Sequence, residues 1–119
     1  MQLMIVDDST VVRNKIERAV SGKGIQVIGQ ACNGREAVDR YTKTPTELVT
    51  LDITMPEMDG LQCLSHLIRI NPDVRVLVIS ALADKATGIE ALTKGASGFL
   101  CKPFSDSELT EALHELAGD

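Results

Sequence analysis

The sequence predicts an α/β domain of (βα)5 type, a doubly wound, parallel five-stranded sheet in three layers, and three observations carry that prediction. Five Val- and Ile-rich runs of strand length alternate strictly with five helical patterns, the signature of strands joined by right-handed helical crossovers. Several runs are apolar continuously rather than at every second residue, as expected where both faces of a sheet are covered. Polar residues gather just after the carboxyl ends of four of the runs, the edge at which open α/β sheets bind their ligands.

The strand candidates are residues 3–6, 25–31, 48–51, 74–79 and 98–101. Between the first two, Val12, Ile16, Ala19 and Val20 form a helical stripe facing the sheet, opened by Ser9 as N-cap and closed near Gly22. The second helix follows Asn33 and Gly34, carries Ala37, Val38 and Tyr41 inward, and stops before Pro45. The third starts at the Asp59-Gly60 turn and carries Leu61, Leu64, Leu67 and Ile68. Asp84 is a candidate cap for the fourth, with Ile89 and Leu92 expected inward and Gly95 ending it. Thr87 and Gly88 in its first turns have poor helix propensity, so it is expected to be the least stable. The fifth opens on Ser105 and Glu108, an S-x-x-E capping box, and buries Leu109, Ala112, Leu113 and Leu116.

A chain of 119 residues is long enough for one core, and one domain spanning residues 1–119 is expected. Aromatic residues make up only 3%, so Val, Ile, Leu and Ala must fill that core. The net charge of −5, with no Lys/Arg cluster, argues against direct nucleic-acid binding. Cys32, Cys63 and Cys101 are odd in number and lack a C-x-x-C spacing, which suggests neither a disulfide framework nor a zinc site. They read as small buried core residues. The N-terminal MQLMIVDD has no basic region ahead of its apolar run, which is too short for a signal or a membrane span, so a cytoplasmic protein is expected.

The polar edge carries the chemistry. Asp7 and Asp8 follow the first strand, Asp52 the third, Ser80 the fourth and Lys102 the fifth. With strand order 2-1-3-4-5, the first and third strands are neighbours and their three carboxylates converge. Two unit charges ~4 Å apart at an effective dielectric of about 20 repel by roughly 4 kcal/mol, so the cluster needs raised pKa values or a cation. All-oxygen ligands suit Mg²⁺, or Mn²⁺, with positions left for water and a phosphoryl group. An aspartate beside such an ion can act as a nucleophile toward phosphorus. Lys102 could pair with Asp52 and later with a phosphoryl oxygen, and the Ser80 hydroxyl could donate to another.

Taken singly, each residue has a plainer reading. Asp7 and Asp8 could terminate a strand and cap a helix, Asp52 could be a turn residue, Lys102 could extend past the sheet edge, and Ser80 could be a loop hydroxyl. Their arrival at one edge from four separate strands favours the phosphoryl-transfer reading.

In VDDS at 6–9, LDITMPEMDG at 51–60, VISA at 78–81 and CKPF at 101–104 the chain resembles the receiver domain of two-component response regulators over essentially its whole length. The resemblance implies a flavodoxin- or CheY-like fold with Asp52 as phosphoacceptor. It implies that Asp8 ligates Mg²⁺ directly, that Asp7 helps largely through water, and that the backbone carbonyl of Thr54 completes the protein ligands. Lys102 and Ser80 would contact the phosphoryl group, the Lys102–Pro103 peptide would be cis, and Ser80 with Phe99 would form the switch pair. Core packing is the plainer role for Phe99. Thr54 and Leu82 would flank the water that attacks the acyl phosphate, and neither is an amide or acid suited to orient it, so decay is expected to be no faster than in relatives with such a group.

Within that family, NGREAV, DITMPEMDG and SALADKATGIEALTKGASGFLCKPF are most similar to stand-alone chemotaxis regulators of the CheY type. The implied partners are a histidine kinase and a downstream protein such as a flagellar motor switch component, met by a monomer through helix four, strand five and helix five. Such a domain is not a turnover enzyme; it catalyses only its own phosphorylation and dephosphorylation. Other readings are an isolated receiver from a transcriptional or other multidomain regulator and, from a different class, an Mg²⁺-dependent phosphatase with an aspartyl nucleophile. The phosphatase would need a cap domain, and the chain has no length to spare for one. A flavodoxin-like cofactor carrier is disfavoured, because three carboxylates would repel its anionic ligand and no phosphate-binding loop follows the first strand.

Overall fold

Strands that are apolar on both faces need a layer of helices on each. The computed structural model describes residues 1–53, 60–81 and 85–118. Among them the order is β1 (Gln2–Val6), α1 (Thr10–Val20), β2 (Gln26–Ala31), α2 (Gly34–Lys43), β3 (Leu48–Asp52), α3 (Gly60–Ile70), β4 (Arg75–Ser80), α4 (Lys85–Thr93), β5 (Gly98–Cys101) and α5 (Asp106–Ala117). The strands form one sheet in the order β2-β1-β3-β4-β5, every neighbouring pair parallel. This is the predicted doubly wound α/β architecture, and its order reverses between β1 and β3.

Side chains alternate across each strand, so one strand feeds two cores. Leu3, Ile5, Leu48, Leu77 and Ile79 pack with Ile16 and Ala19 of α1 and with Leu109 and Leu113 of α5. Met4, Val6, Val49, Leu51, Val76 and Val78 pack on the opposite face with Ala37 and Tyr41 of α2, Leu64 and Leu67 of α3 and Ala91 of α4. Lys15 ties the first of these layers to the β5–α5 connection: its Nζ lies 4.5 Å from the centre of the Phe104 ring and donates to the Phe104 carbonyl at 2.6 Å.

Helix starts follow their capping residues. The Ser9 hydroxyl accepts from the Val12 amide and the Asn33 side chain from the Glu36 amide, each satisfying an orphan donor in the first turn. Ser105 and Glu108 form the reciprocal capping box, and α5 ends on Gly118 at φ 86°, a left-handed conformation that glycine adopts without penalty. Gly60 is required for a different reason from a turn. A Cβ there would lie 2.1 Å from the Ile53 Cα and 2.8 Å from the Asp52 carbonyl oxygen, so only glycine lets α3 start against the end of β3.

Two expectations need correction. Ile89 and Leu92 do not face the core: they are 64% and 52% exposed, whereas Ala91 is fully buried. Gly88 and Ala91, three residues apart, make the inward stripe of α4. A Cβ on Gly88 would lie 3.9 Å from the Phe99 ring. Small residues let the helix lie close to β5, and the larger aliphatics one step round are turned to the surface. The Asp84 cap lies outside the described residues. The cysteines also divide: Cys63 is buried and Cys32 half-buried, but Cys101, the last residue of edge strand β5, is exposed.

Candidate functional site

Register brings the first and third strand ends together. Ile5 pairs with Thr50 and Val6 with Leu51, so Asp7 and Asp52, each two residues beyond a paired position, arrive at the same height on the same face. Asp7 and Asp52 are 1% and 2% exposed, whereas Asp8 is open to solvent. One ligand oxygen from each of Asp7, Asp8 and Asp52 lies within 4.8 Å of the others. Among the described residues, no other group of three His, Cys, Asp or Glu side chains converges in this way.

Lys102 closes the cluster from the end of β5. Its Nζ donates to Asp7 Oδ2 at 3.0 Å and lies 3.5 Å from Asp52 Oδ2, so the lysine bridges two carboxylates and is nearer to Asp7 than to Asp52, the partner expected from sequence. The Lys102 amide donates to the Ser80 carbonyl at 2.9 Å, which fixes the ends of β4 and β5 together. The Lys102–Pro103 peptide is cis. Ser80 is fully buried as the last residue of β4. Phe99 pairs with Val78 and packs, half-buried, against the core beneath α4. By alternation Ser80 and Phe99 belong to this same face of the sheet. Thr54 and Leu82 lie outside the described residues.

Asp7 is held at every polar atom. Its amide donates to the Ala31 carbonyl at 3.0 Å, its carbonyl accepts from Arg13 Nη1 at 2.6 Å, and its Oδ1 accepts from the Ser9 amide at 2.9 Å. Burial pushes its carboxyl above the usual aspartate range, more than the Ser9 and Lys102 hydrogen bonds lower it, and the nearby Asp52 charge adds to the rise. For Lys102, burial alone would lower the pKa. The Asp7 hydrogen bond and the charges of Asp52 and Asp7 outweigh it and hold the ammonium above its ordinary value. Arg13 was not a candidate from sequence; the available signal was its place in the first turns of α1, where a long side chain points back toward the helix start.

The donor set fits a small hard cation. Three carboxylate oxygens within 4.8 Å of one another can share an octahedral ion that takes oxygen ligands at about 2.1 Å, with small adjustments. The exposed Asp8 carboxylate has no hydrogen bond or ion pair within the described residues and is available for that ion. An apolar hollow lined by Val12, Lys15, Ala81, Lys102, Pro103 and Phe104 opens beside the cluster.

A carboxylate triad closed by a lysine lies at the switch point of a 2-1-3-4-5 sheet, the edge at which open α/β domains bind their ligands. Residues 3–114 match the response regulator receiver domain, and the chain belongs to that family, which is not classed as enzymatic. Within it, the chain is 39% identical over 116 residues to the chemotaxis protein CheY of Thermotoga maritima, covering 98% of this chain and 97% of that protein. It superposes with a TM-score of 0.94 on a chain of the CheX-CheY-BeF3-Mg²⁺ complex from Borrelia burgdorferi, at 34% identity, covering 98% of this chain and 89% of that one. It also matches a protein-glutamate methylesterase/protein-glutamine glutaminase of Rhodospirillum centenum, 40% identical over 114 residues but covering only 29% of that protein. No helix among the described residues is long and apolar enough to cross a membrane.

Proposed function

We propose that residues 1–119 form a single receiver domain that takes a phosphoryl group from a histidine kinase onto Asp52 and relays the change to a partner protein, in chemotaxis. The observation that carries this reading is the convergence of Asp7, Asp8 and Asp52 with Lys102 bridging two of them. Full-length similarity to CheY proteins supports the chemotaxis assignment, and Mg²⁺ in the Borrelia complex supports the choice of ion.

Asp7, Asp8, Asp52 and the Thr54 backbone carbonyl would hold Mg²⁺, or Mn²⁺, which when bound supplies the positive charge that phosphoryl transfer requires. An Asp52 carboxylate oxygen attacks phosphorus, the new O–P bond forms, and the P–N bond of the donor phosphohistidine breaks. The electron pair leaves with the imidazole, which takes up a proton. Lys102 shifts from Asp52 to a phosphoryl oxygen and the Ser80 hydroxyl donates to another, so that Ser80 moves and Phe99 turns inward under α4. The surface of α4, β5 and α5 changes with it, and this is what the downstream partner, such as a flagellar motor switch component, reads from a cytoplasmic monomer. Water later attacks phosphorus and releases inorganic phosphate. By the family resemblance Thr54 and Leu82 would flank that water, and neither is an amide or acid suited to orient it, so Leu82→Glu or Thr54→Asn is expected to leave decay equal or faster.

A small phosphodonor with and without Mg²⁺, read by mass spectrometry, tests the proposal. Wild type gains the phosphoryl mass only with the ion, and Asp52→Asn does not gain it; modification of the Asn variant at an equal rate overturns the assignment. The match to less than a third of the methylesterase favours a second reading, a receiver that works joined to an output domain. Dimerisation on phosphorylation, followed by light scattering, supports that alternative, and a persistent monomer supports the stand-alone switch.

A further inference from the structure

Asp8 is the least supported member of the carboxylate cluster. Its side chain is exposed and has no protein partner within the described residues, so its direction depends on the backbone that carries it. The Asp7 carbonyl oxygen and the Asp8 amide nitrogen belong to one rigid peptide plane. That oxygen is the acceptor for Arg13 Nη1 at 2.6 Å. The same guanidinium is fixed on its other sides, Nη2 donating to Thr10 Oγ1 at 3.1 Å and Nε to Gln30 Oε1 at 3.2 Å. Gln30 is itself oriented by Glu17, to which its Nε2 donates at 2.5 Å. A planar fork with several donors can fix both the position and the tilt of a peptide group, which a single ammonium cannot.

We propose that Arg13 is a positioning residue for the metal site: it clamps the Asp7–Asp8 peptide plane and thereby presets the direction of the Asp8 carboxylate toward a divalent cation. The inference rests on the phosphoacceptor reading above but concerns ion binding alone, before any phosphoryl transfer. Its force lies in a difference of sign. Arg13 carries a positive charge close to a site for a cation, so on charge alone its removal tightens ion binding. If the clamp dominates, removal weakens binding, as the loss of groups that orient metal ligands ordinarily does, by roughly ten- to a hundredfold.

The experiment is a Mn²⁺ titration with no phosphodonor, following the free-ion signal by electron paramagnetic resonance, with folding checked by thermal melts in EDTA. Arg13→Gln is expected to bind Mn²⁺ roughly tenfold more weakly than wild type. Arg13→Lys, which keeps the charge but not the fork, falls between them. Arg18→Gln removes an equal charge from the exposed side of α1 and binds as wild type. Should Arg13→Gln fail to fold, Gln30→Ala, which frees only the Nε side of the guanidinium, carries the test with an expected weakening of a few fold. Binding by Arg13→Gln or Gln30→Ala equal to or tighter than wild type overturns the positioning role. Absence of Mn²⁺ binding by the wild type overturns the metal site itself, and the inference with it.

Discussion

The two faces of the sheet are built differently. On the α1–α5 face, both helices start on side-chain caps and both bury long aliphatics, with Leu109 and Leu113 fully inside. Lys15 adds a tie across the layer through Phe104. On the other face α2 and α3 are anchored as firmly, with Tyr41 donating from its hydroxyl to the Thr46 carbonyl at 2.6 Å and accepting from Asn71. The α4 end of that face is not. Its inward stripe is Gly88 and Ala91, its larger aliphatics are exposed, and the strand beneath it contributes a half-buried Phe99. Burial of apolar area is the main source of cohesion, at about 25 cal/mol per Å², so a helix whose inward stripe is a glycine and an alanine, Gly88 and Ala91, is loosely attached. The rigid face fixes the carboxylate cluster, while the loose end lies over the strand next to Lys102.

The same substitution on the two faces should break or sharpen this contrast. Leu113→Ala, a large-to-small change in a closed core, is expected to cost about 2–5 kcal/mol in denaturant unfolding. A cost comparable to that of a surface change would mean that α5 is not an anchor. Tyr41→Phe leaves the Thr46 carbonyl and the Asn71 amide short of a partner, at about 1–3 kcal/mol. Burial raises the Tyr41 pKa above its ordinary value. The folded state therefore holds that proton more tightly than the unfolded chain. Stability from this group is complete below about pH 10 and falls as pH rises from there through the folded value. The Phe variant should lose less stability than wild type over that alkaline range in pH-dependent melts.

Ser105→Ala removes one half of the capping box of α5 and should cost about 1 kcal/mol by the same unfolding measurement. Gly88→Ala should stabilise α4 by about 0.5–1 kcal/mol, since the new methyl meets the Phe99 ring at an ordinary contact distance of 3.9 Å. Slower amide exchange confined to α4 would be its signature, whereas faster exchange would show that α4 has no room to tighten. Leu92→Ala should change stability by no more than about 0.5 kcal/mol, because that side chain is mostly in water already. A loss approaching that of Leu113→Ala would erase the distinction between the two faces.

Much of the architecture was legible in residue order. Continuous Val/Ile runs, the caps at Ser9 and Ser105 and the stripes of α1, α3 and α5 all act over a few residues, and a linear pattern records them. The inward face of α4 was not legible. A period of 3.6 assigns the large apolar residues to the core, but here the close approach to β5 selected glycine and alanine for that side. Cys101 misled for a related reason: an apolar run does not reveal that its last residue lies at an open edge. In the site, Asp7, Asp8, Asp52 and Lys102 were recognisable by type and by their place at strand ends. Arg13 was not, since its partner is a backbone carbonyl, and every residue has one.

The sequence by itself determined the alternation of strands and helices and the acidic character of the strand ends, because periodicity and capping are local properties, and its four motifs carried the resemblance to the receiver family. Only the tertiary structure decided the register in which β1 and β3 pair, that Lys102 lies nearer Asp7 than Asp52, and that Arg13 holds the peptide between the two adjacent aspartates. Those relations join residues brought together by packing, and their distances are set by the sheet.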